Sequence, residues 1–306
     1  MKKTVFIHTN KKQYLGALVA KYMLQKYTKD ANAFDVKIIS LEDYPALHTR
    51  DKQKYLRSGR QAIWNNNDLQ SFTLLRFLPP ELMDYKGRSI VIDPDIFALA
   101  DINTLFNKDM ENNTLMCRLD DKGNFSSSVM LMDNEKLKHW RWEEDINDLF
   151  NKKRDYRDWM SLNLENPETI GIFEKEWNSF DELNENTKML HNTKRLTQPW
   201  RTGLPITFDR SEKIPAKTWK DLIPFKNTIK KALGRPIAAA KTNPNEKHSH
   251  HQPHPDQTQI DLFFTHLTEA IDAGIVTESH IQDALATNEI REDIHEIVAS
   301  YKSKAA

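Results

Sequence analysis

Cysteine, glycine and net charge are all scarce in this chain, and each scarcity removes a class of protein. One cysteine in 306 residues, Cys117, excludes an internal disulfide framework and a cysteine zinc site. It lies in the apolar run Leu115-Met116-Cys117, where a small core residue is expected in preference to a nucleophile. Eight glycines are present, and none forms the Gly-rich phosphate loop of a dinucleotide-binding or P-loop protein. Forty-four basic residues balance forty-four acidic ones, so no global field draws the chain to nucleic acid or an anionic membrane. Any phosphate recognition has to be local. No apolar run approaches the roughly 18 residues of a membrane span. The opening Met1-Lys2-Lys3-Thr4-Val5-Phe6-Ile7-His8 returns to polar residues too soon for a signal-peptide core, so a soluble, cytoplasmic protein is expected.

What is present is alternation. Thr4 to Ile7 reads as a strand, Gln13 to Tyr27 as an amphipathic helix, Asp35 to Leu41 as a strand, Leu69 to Phe77 as a helix and Arg88 to Ile92 as a strand. Strand candidates follow at Thr114 to Leu119 and Ser127 to Met132, joined by the turn Asp121-Lys122-Gly123-Asn124. Trp140 to Met160 is aromatic, charged and expected to be helical. This order predicts an α/β fold with a nucleotide site along the carboxyl edge of its sheet.

Asp93-Pro94-Asp95 falls on that edge, directly after Ser89-Ile90-Val91-Ile92. Side chains alternate along extended chain, so the two carboxylates point the same way, and Pro94 cannot extend the ladder. Like charges this close raise one another's pKa, and a hard divalent cation relieves the conflict. A surface turn is the other reading, since Asp and Pro are ordinary turn residues.

Composition changes near residue 237. Ala238 to Gln259 lacks large apolar residues and carries His248, His250, His251 and His254, so a flexible linker is expected in preference to a transition-metal site. Beyond it, Ile260, Phe263, Phe264, Leu267 and Ile271, then Ile281, Leu285, Ile290, Ile294, Ile297 and Val298, recur at helical spacing. The division expected is a catalytic domain over 1–236, the linker over 237–259, and a helical domain over 260–306 that completes its packing against the first domain or a second subunit.

Three segments in register resemble the retaining glycosyltransferases of family 8. Arg76-Phe77-Leu78-Pro79-Pro80-Glu81-Leu82, Ile90-Val91-Ile92-Asp93-Pro94-Asp95-Ile96 and Asp101-Ile102-Asn103-Thr104-Leu105-Phe106 are similar to that family's arginine helix, Asp-x-Asp strand and following turn. Phe125-Ser126-Ser127-Ser128-Val129-Met130-Leu131 resembles its Phe-Asn-Ser-Gly-Val-Met-Leu segment, and His191 to Trp200 its His-x-x-Gly-x-x-Lys-Pro-Trp signature. The likeness covers roughly residues 1 to 210 and departs from the family at four points. Ser126 and Ser128 replace Asn and Gly, Gln198 replaces the lysine that contacts the diphosphate, and Trp159 stands for glutamine in Asp158-Trp159-Met160-Ser161-Leu162-Asn163.

The resemblance implies a GT-A-type fold, a Rossmann-like mixed sheet flanked by helices, carrying a small C-terminal helical appendage. It implies a metal-dependent transfer of a hexose from a UDP-sugar to a glycan or other hydroxyl acceptor, with retention of configuration. Asp93, Asp95 and His191 are the implied ligands of Mn²⁺ or Mg²⁺; imidazole with carboxylate suits Mn²⁺. Lys194 and Arg195 are candidates for the departing phosphate, as against a solvated basic face. Arg76 is placed at the donor sugar or at an acidic neighbour, Asp158 at the sugar hydroxyls, and Asp68 at the donor nucleotide or sugar. His8, Thr9 and Asn10, after the first strand, are placed at base and ribose, with helix capping as the alternative. Trp64, Trp177, Trp200 and Trp219 are expected in the core before sugar stacking. The rivals are a catalytically silent carbohydrate-binding or scaffold protein and a sugar nucleotidyltransferase, the latter without the Gly-rich basic loop it needs.

Overall fold

A computed structural model describes residues 2–206 and 249–305. Its central sheet has the order β2-β1-β5-β8-β7-β9. β1 (Lys3–Thr9) pairs in parallel with β2 (Asp35–Ser40) and β5 (Arg88–Ile92). β8 (Phe125–Asp133) is antiparallel to both β5 and β7 (Leu115–Leu119), and β9 (Ile170–Ile172) closes the far edge parallel to β7. Residues 5–7 and 90–92 are fully buried, the run of apolar side chains that a strand covered on both faces needs. A hairpin joins β3 (Lys54–Arg57) to β4 (Arg60–Ile63). A small sheet orders β10 (Ser179–Phe180), β11 (Met189–His191) and β6 (Ile96–Ala98).

The expected α/β architecture with flanking helices is what the chain forms. The helices are α1 (Tyr14–Lys26), the short α2 (Pro45–His48), α3 (Pro79–Leu82) and α4 (Ile102–Phe106), α5 (Trp142–Phe150), α6 (Tyr156–Met160), α7 (Gln257–Asp272), α8 (Glu278–Ala286) and α9 (Ile294–Ala305). The single helix expected over Trp140 to Met160 is two, because Asn151 ends one and Asp155 caps the next by accepting from Arg157 N at 2.7 Å. Ser71–Phe77 is a 3₁₀ helix rather than an α-helix. Among the described residues no helix is long and apolar enough to cross a membrane.

The segment after the linker packs onto the first domain. Phe263 on α7 stacks on Trp200 with ring centroids 4.6 Å apart, and α7 lies along α1, where Tyr27 Oη meets His266 Nε2 at 2.9 Å and Lys26 Nζ meets Glu269 at 2.6 Å. Of the expected linker, residues 237–248 lie outside the described chain, as do His248 and Trp219. Residues 249–259 do not behave as a solvated linker: His250 bridges Pro205, His251 is buried with Nδ1 2.8 Å from Arg195 O, and His254 is buried. Trp64, Trp177 and Trp200 are core residues. Cys117 is buried, and burial pushes its thiol up to about 12, outside nucleophile range.

Candidate metal centre

β5 ends at Ile92, and the chain turns at Asp93-Pro94-Asp95 before β6 begins. The turn nests against α1: a Cβ at Gly16 would lie 2.8 Å from the Pro94 carbonyl oxygen, so only glycine permits this approach. β11, antiparallel to β6, sets His191 opposite Ile96. Asp93, Asp95 and His191 each turn one ligand atom into a group whose members all lie within 4.8 Å of one another. Residues far apart in sequence are brought together by one short strand pair.

The surroundings fix the state of each member. His191 Nδ1 lies 2.9 Å from Asn178 Oδ1. The amide nitrogen of Asn178 is engaged by Ser128 Oγ at 2.9 Å, so its oxygen faces the imidazole and accepts from Nδ1–H. His191 Nε2 lies 3.5 Å from Asp95 Oδ1. An imidazole nitrogen and two carboxylates turned toward one another are the donor set that a divalent ion takes, so these residues fit one. Burial pushes the Asp95 carboxyl up, with the charge of Asp93 adding to it against His191. Burial opposes ionisation of Asp93 too, but Arg76 and His8 outweigh it and hold the carboxyl well below its ordinary range.

Both partners meet the same oxygen. Arg76 Nη2 and His8 Nε2 lie 2.6 and 2.7 Å from Asp93 Oδ1. Arg76 Nη1 donates to Ser127 Oγ at 2.8 Å, and Ser127 Oγ to Met160 O at 2.5 Å. His8 is fully buried behind Asp93, with burial lowering its pKa, so it supports a ligand instead of touching base or ribose. Asn10 bonds Asp68 O and Ser71 Oγ, Thr9 Oγ1 bonds Asn10 O, and Asp68 accepts from Gln70 N. These three residues brace the first loop.

The remaining candidates separate. Arg195 is near enough for its charge to stabilise the Asp95 carboxylate, whereas Lys194 is exposed and its backbone N–H bonds Asp181. Asp158 is exposed and bonds Asn163 at 3.2 Å; Trp159 is buried, stacked on Phe77 at 4.8 Å. Gln198 donates to Asp95 Oδ2 at 3.0 Å, and Arg201 Nε donates to Gln198 Oε1 at 3.1 Å. Three further supports carried no sequence motif: Asn178, Gln259, whose Oε1 accepts from Asn192 beside His191 at 3.0 Å, and Glu289. α1 begins with neither an acidic first turn nor a side-chain cap, and Glu289 supplies the missing carboxylate, accepting from Gly16 N at 3.1 Å.

No family model matches the sequence, and no curated protein matches it. Solved structures do. The glycosyltransferase GlyE of Streptococcus pneumoniae is similar at a TM-score of 0.46 and 15% identity, over 78% of this chain and 66% of that one, just under two thirds of its length. The galactosyltransferase LgtC, in complex with donor and acceptor sugar analogues, is similar at 0.43 and 15% identity, over 65% of this chain and 89% of that one. Mouse xyloside xylosyltransferase 1 is similar at 0.41 and 13% identity, over 63% and 97%.

Proposed function

We propose that this chain is a metal-dependent glycosyltransferase that moves a hexose from a nucleotide-diphosphate sugar, a UDP-sugar, to a hydroxyl acceptor with retention of configuration. The observation that carries the reading is the convergence of Asp93, Asp95 and His191 at the carboxyl edge of the sheet. A bound Mn²⁺ or Mg²⁺ supplies positive charge to the diphosphate leaving group.

The chain's own residues do the rest. Arg76, fixed by Asp93 and Ser127, presents a cation beside the site, and the charge of Arg195 reaches Asp95. Both oppose the negative charge that grows on the diphosphate as the sugar becomes oxocarbenium-like. Asp158, on an exposed face, is not counted among the reacting groups, so retention proceeds without it as a nucleophile.

Asp95→Ala tests the assignment. The native chain is expected to gain thermal stability with UDP and Mn²⁺ together beyond what either gives alone, and the variant to lose that gain while keeping its far-UV spectrum. UDP affinity that is the same with and without metal in the native chain sinks the reading.

A further inference from the structure

A cavity of about 250 Å³ opens beside Arg76 and Ser128, the side chains that brace Asp93 and Asn178. Its wall carries three arginines, Arg57, Arg76 and Arg157, and one carboxylate, Asp120. Asp120 is spoken for: its Oδ1 accepts from the backbone N–H groups of Lys122 and Asn124 at 2.9 and 2.8 Å, and Asn124 Nδ2 reaches Oδ2 at 3.0 Å. Arg76 is paired with Asp93. Among the described residues neither Arg57 nor Arg157 forms an ion pair with a carboxylate, although the charge of Asp68 reaches Arg57 from outside the lining.

The two arginines are built into one wall. The tip of the β3–β4 hairpin, Ser58 and Gly59, takes up positive φ of 55° and 69°, and its two N–H groups donate to Asp155 Oδ1 and Oδ2 at 3.0 and 2.8 Å. The same Asp155 caps α6, the helix that carries Arg157. One carboxylate therefore ties Arg57 and Arg157 to a common anchor. The Arg57 guanidinium lies 4.6 Å from the Tyr156 ring centroid, and a single long contact, Nη1 to Tyr55 Oη at 3.4 Å, engages its donors. A guanidinium held over a ring with its N–H fork largely unspent is preorganised for a planar anion. Phe125 and Phe180 are apolar members of the same lining.

Resting on the glycosyltransferase reading, we propose that this cavity takes a saccharide bearing an anionic group, a carboxylate or phosphate, held by Arg57 and Arg157 next to the metal cluster. A neutral hexose would leave both cations without a partner. The anion is carried either on the donor sugar or on the acceptor, and the two sources are separable by experiment.

Isothermal titration of the full chain with Mn²⁺ compares UDP, UDP-glucose and UDP-glucuronic acid, then D-glucose, D-glucuronate and D-glucose 6-phosphate added to the UDP-loaded protein. The charged ligand is expected to bind about tenfold or more tightly than its neutral counterpart in one arm, the range for one charge-assisted guanidinium pair. Arg57→Gln and Arg157→Gln are expected to erase that preference while leaving the affinity for UDP unchanged, and Arg157→Lys to keep part of it. Equal affinity for charged and neutral ligands in both arms overturns the proposal, as does a preference that survives the double Gln variant. If the native chain does not bind UDP with Mn²⁺, the glycosyltransferase reading fails. The free-sugar arm, run without UDP, then decides the cavity on its own.

Discussion

Arg76 Nη2 lies 2.6 Å from Asp93 Oδ1, and both side chains are almost wholly out of water. This pair holds Asp93 ionised where burial alone would neutralise it. Arg76→Ala leaves a buried carboxylate whose described side-chain hydrogen-bond partner is His8, and a loss of roughly 3–5 kcal/mol in urea unfolding is expected. Arg76→Lys keeps the charge but gathers its donors on one nitrogen, without the planar fork that spans Asp93 and Ser127, so an intermediate loss is expected.

Gly16 lets the Asp93-Pro94-Asp95 turn rest on α1. In Gly16→Ala the new Cβ meets backbone, the Pro94 carbonyl, which cannot swing aside as a side chain would. Overpacking of this kind costs about 1–3 kcal/mol. Mn²⁺ titration should show a weakened site in a variant that still folds; unchanged metal affinity would mean that the turn shifts without moving its carboxylates.

Glu289 is buried beneath α1, and burial raises its carboxyl to about 7 even though Arg201 and three backbone N–H groups favour the charged form. An acid whose folded pKa lies above its unfolded value of about 4.3 contributes stability below that value, and loses it as pH rises toward the folded pKa. The native chain should therefore lose stability relative to Glu289→Gln between about pH 4 and pH 7, by up to roughly 3 kcal/mol. Parallel Tm curves for the two proteins across that window would show that folding leaves the carboxyl's pKa unshifted.

The Trp200–Phe263 stack makes the C-terminal helices part of the core. Phe263→Ala is expected to cost about 3–5 kcal/mol, and the loss should appear in a single unfolding transition shared by both segments. Two separate transitions in calorimetry would restore the picture of an independent appendage.

Asp158→Ala removes an exposed side chain whose described partner is Asn163. Its effect on stability is expected within about 0.5 kcal/mol, and UDP–Mn²⁺ affinity is expected to stay as in the native chain. A large fall in affinity would put Asp158 back at the ligand.

The sequence by itself determined the local elements. Periodicity placed β1, α1, β2 and β5 within a residue or two, because a buried strand and an amphipathic helix each need a fixed spacing of apolar side chains. It also placed Asp93 and Asp95 at a strand end, since Pro94 cannot continue a ladder. Tertiary structure alone decided what surrounds them. The setting of the His191 ring depends on Asn178, the charge of Asp93 on Arg76 and His8, and the start of α1 on Glu289 from a distant helical segment. None of these partners follows a period or a motif. They are chosen by which buried polar atom still needs a partner once the core has closed, and that is settled only when the chain is packed.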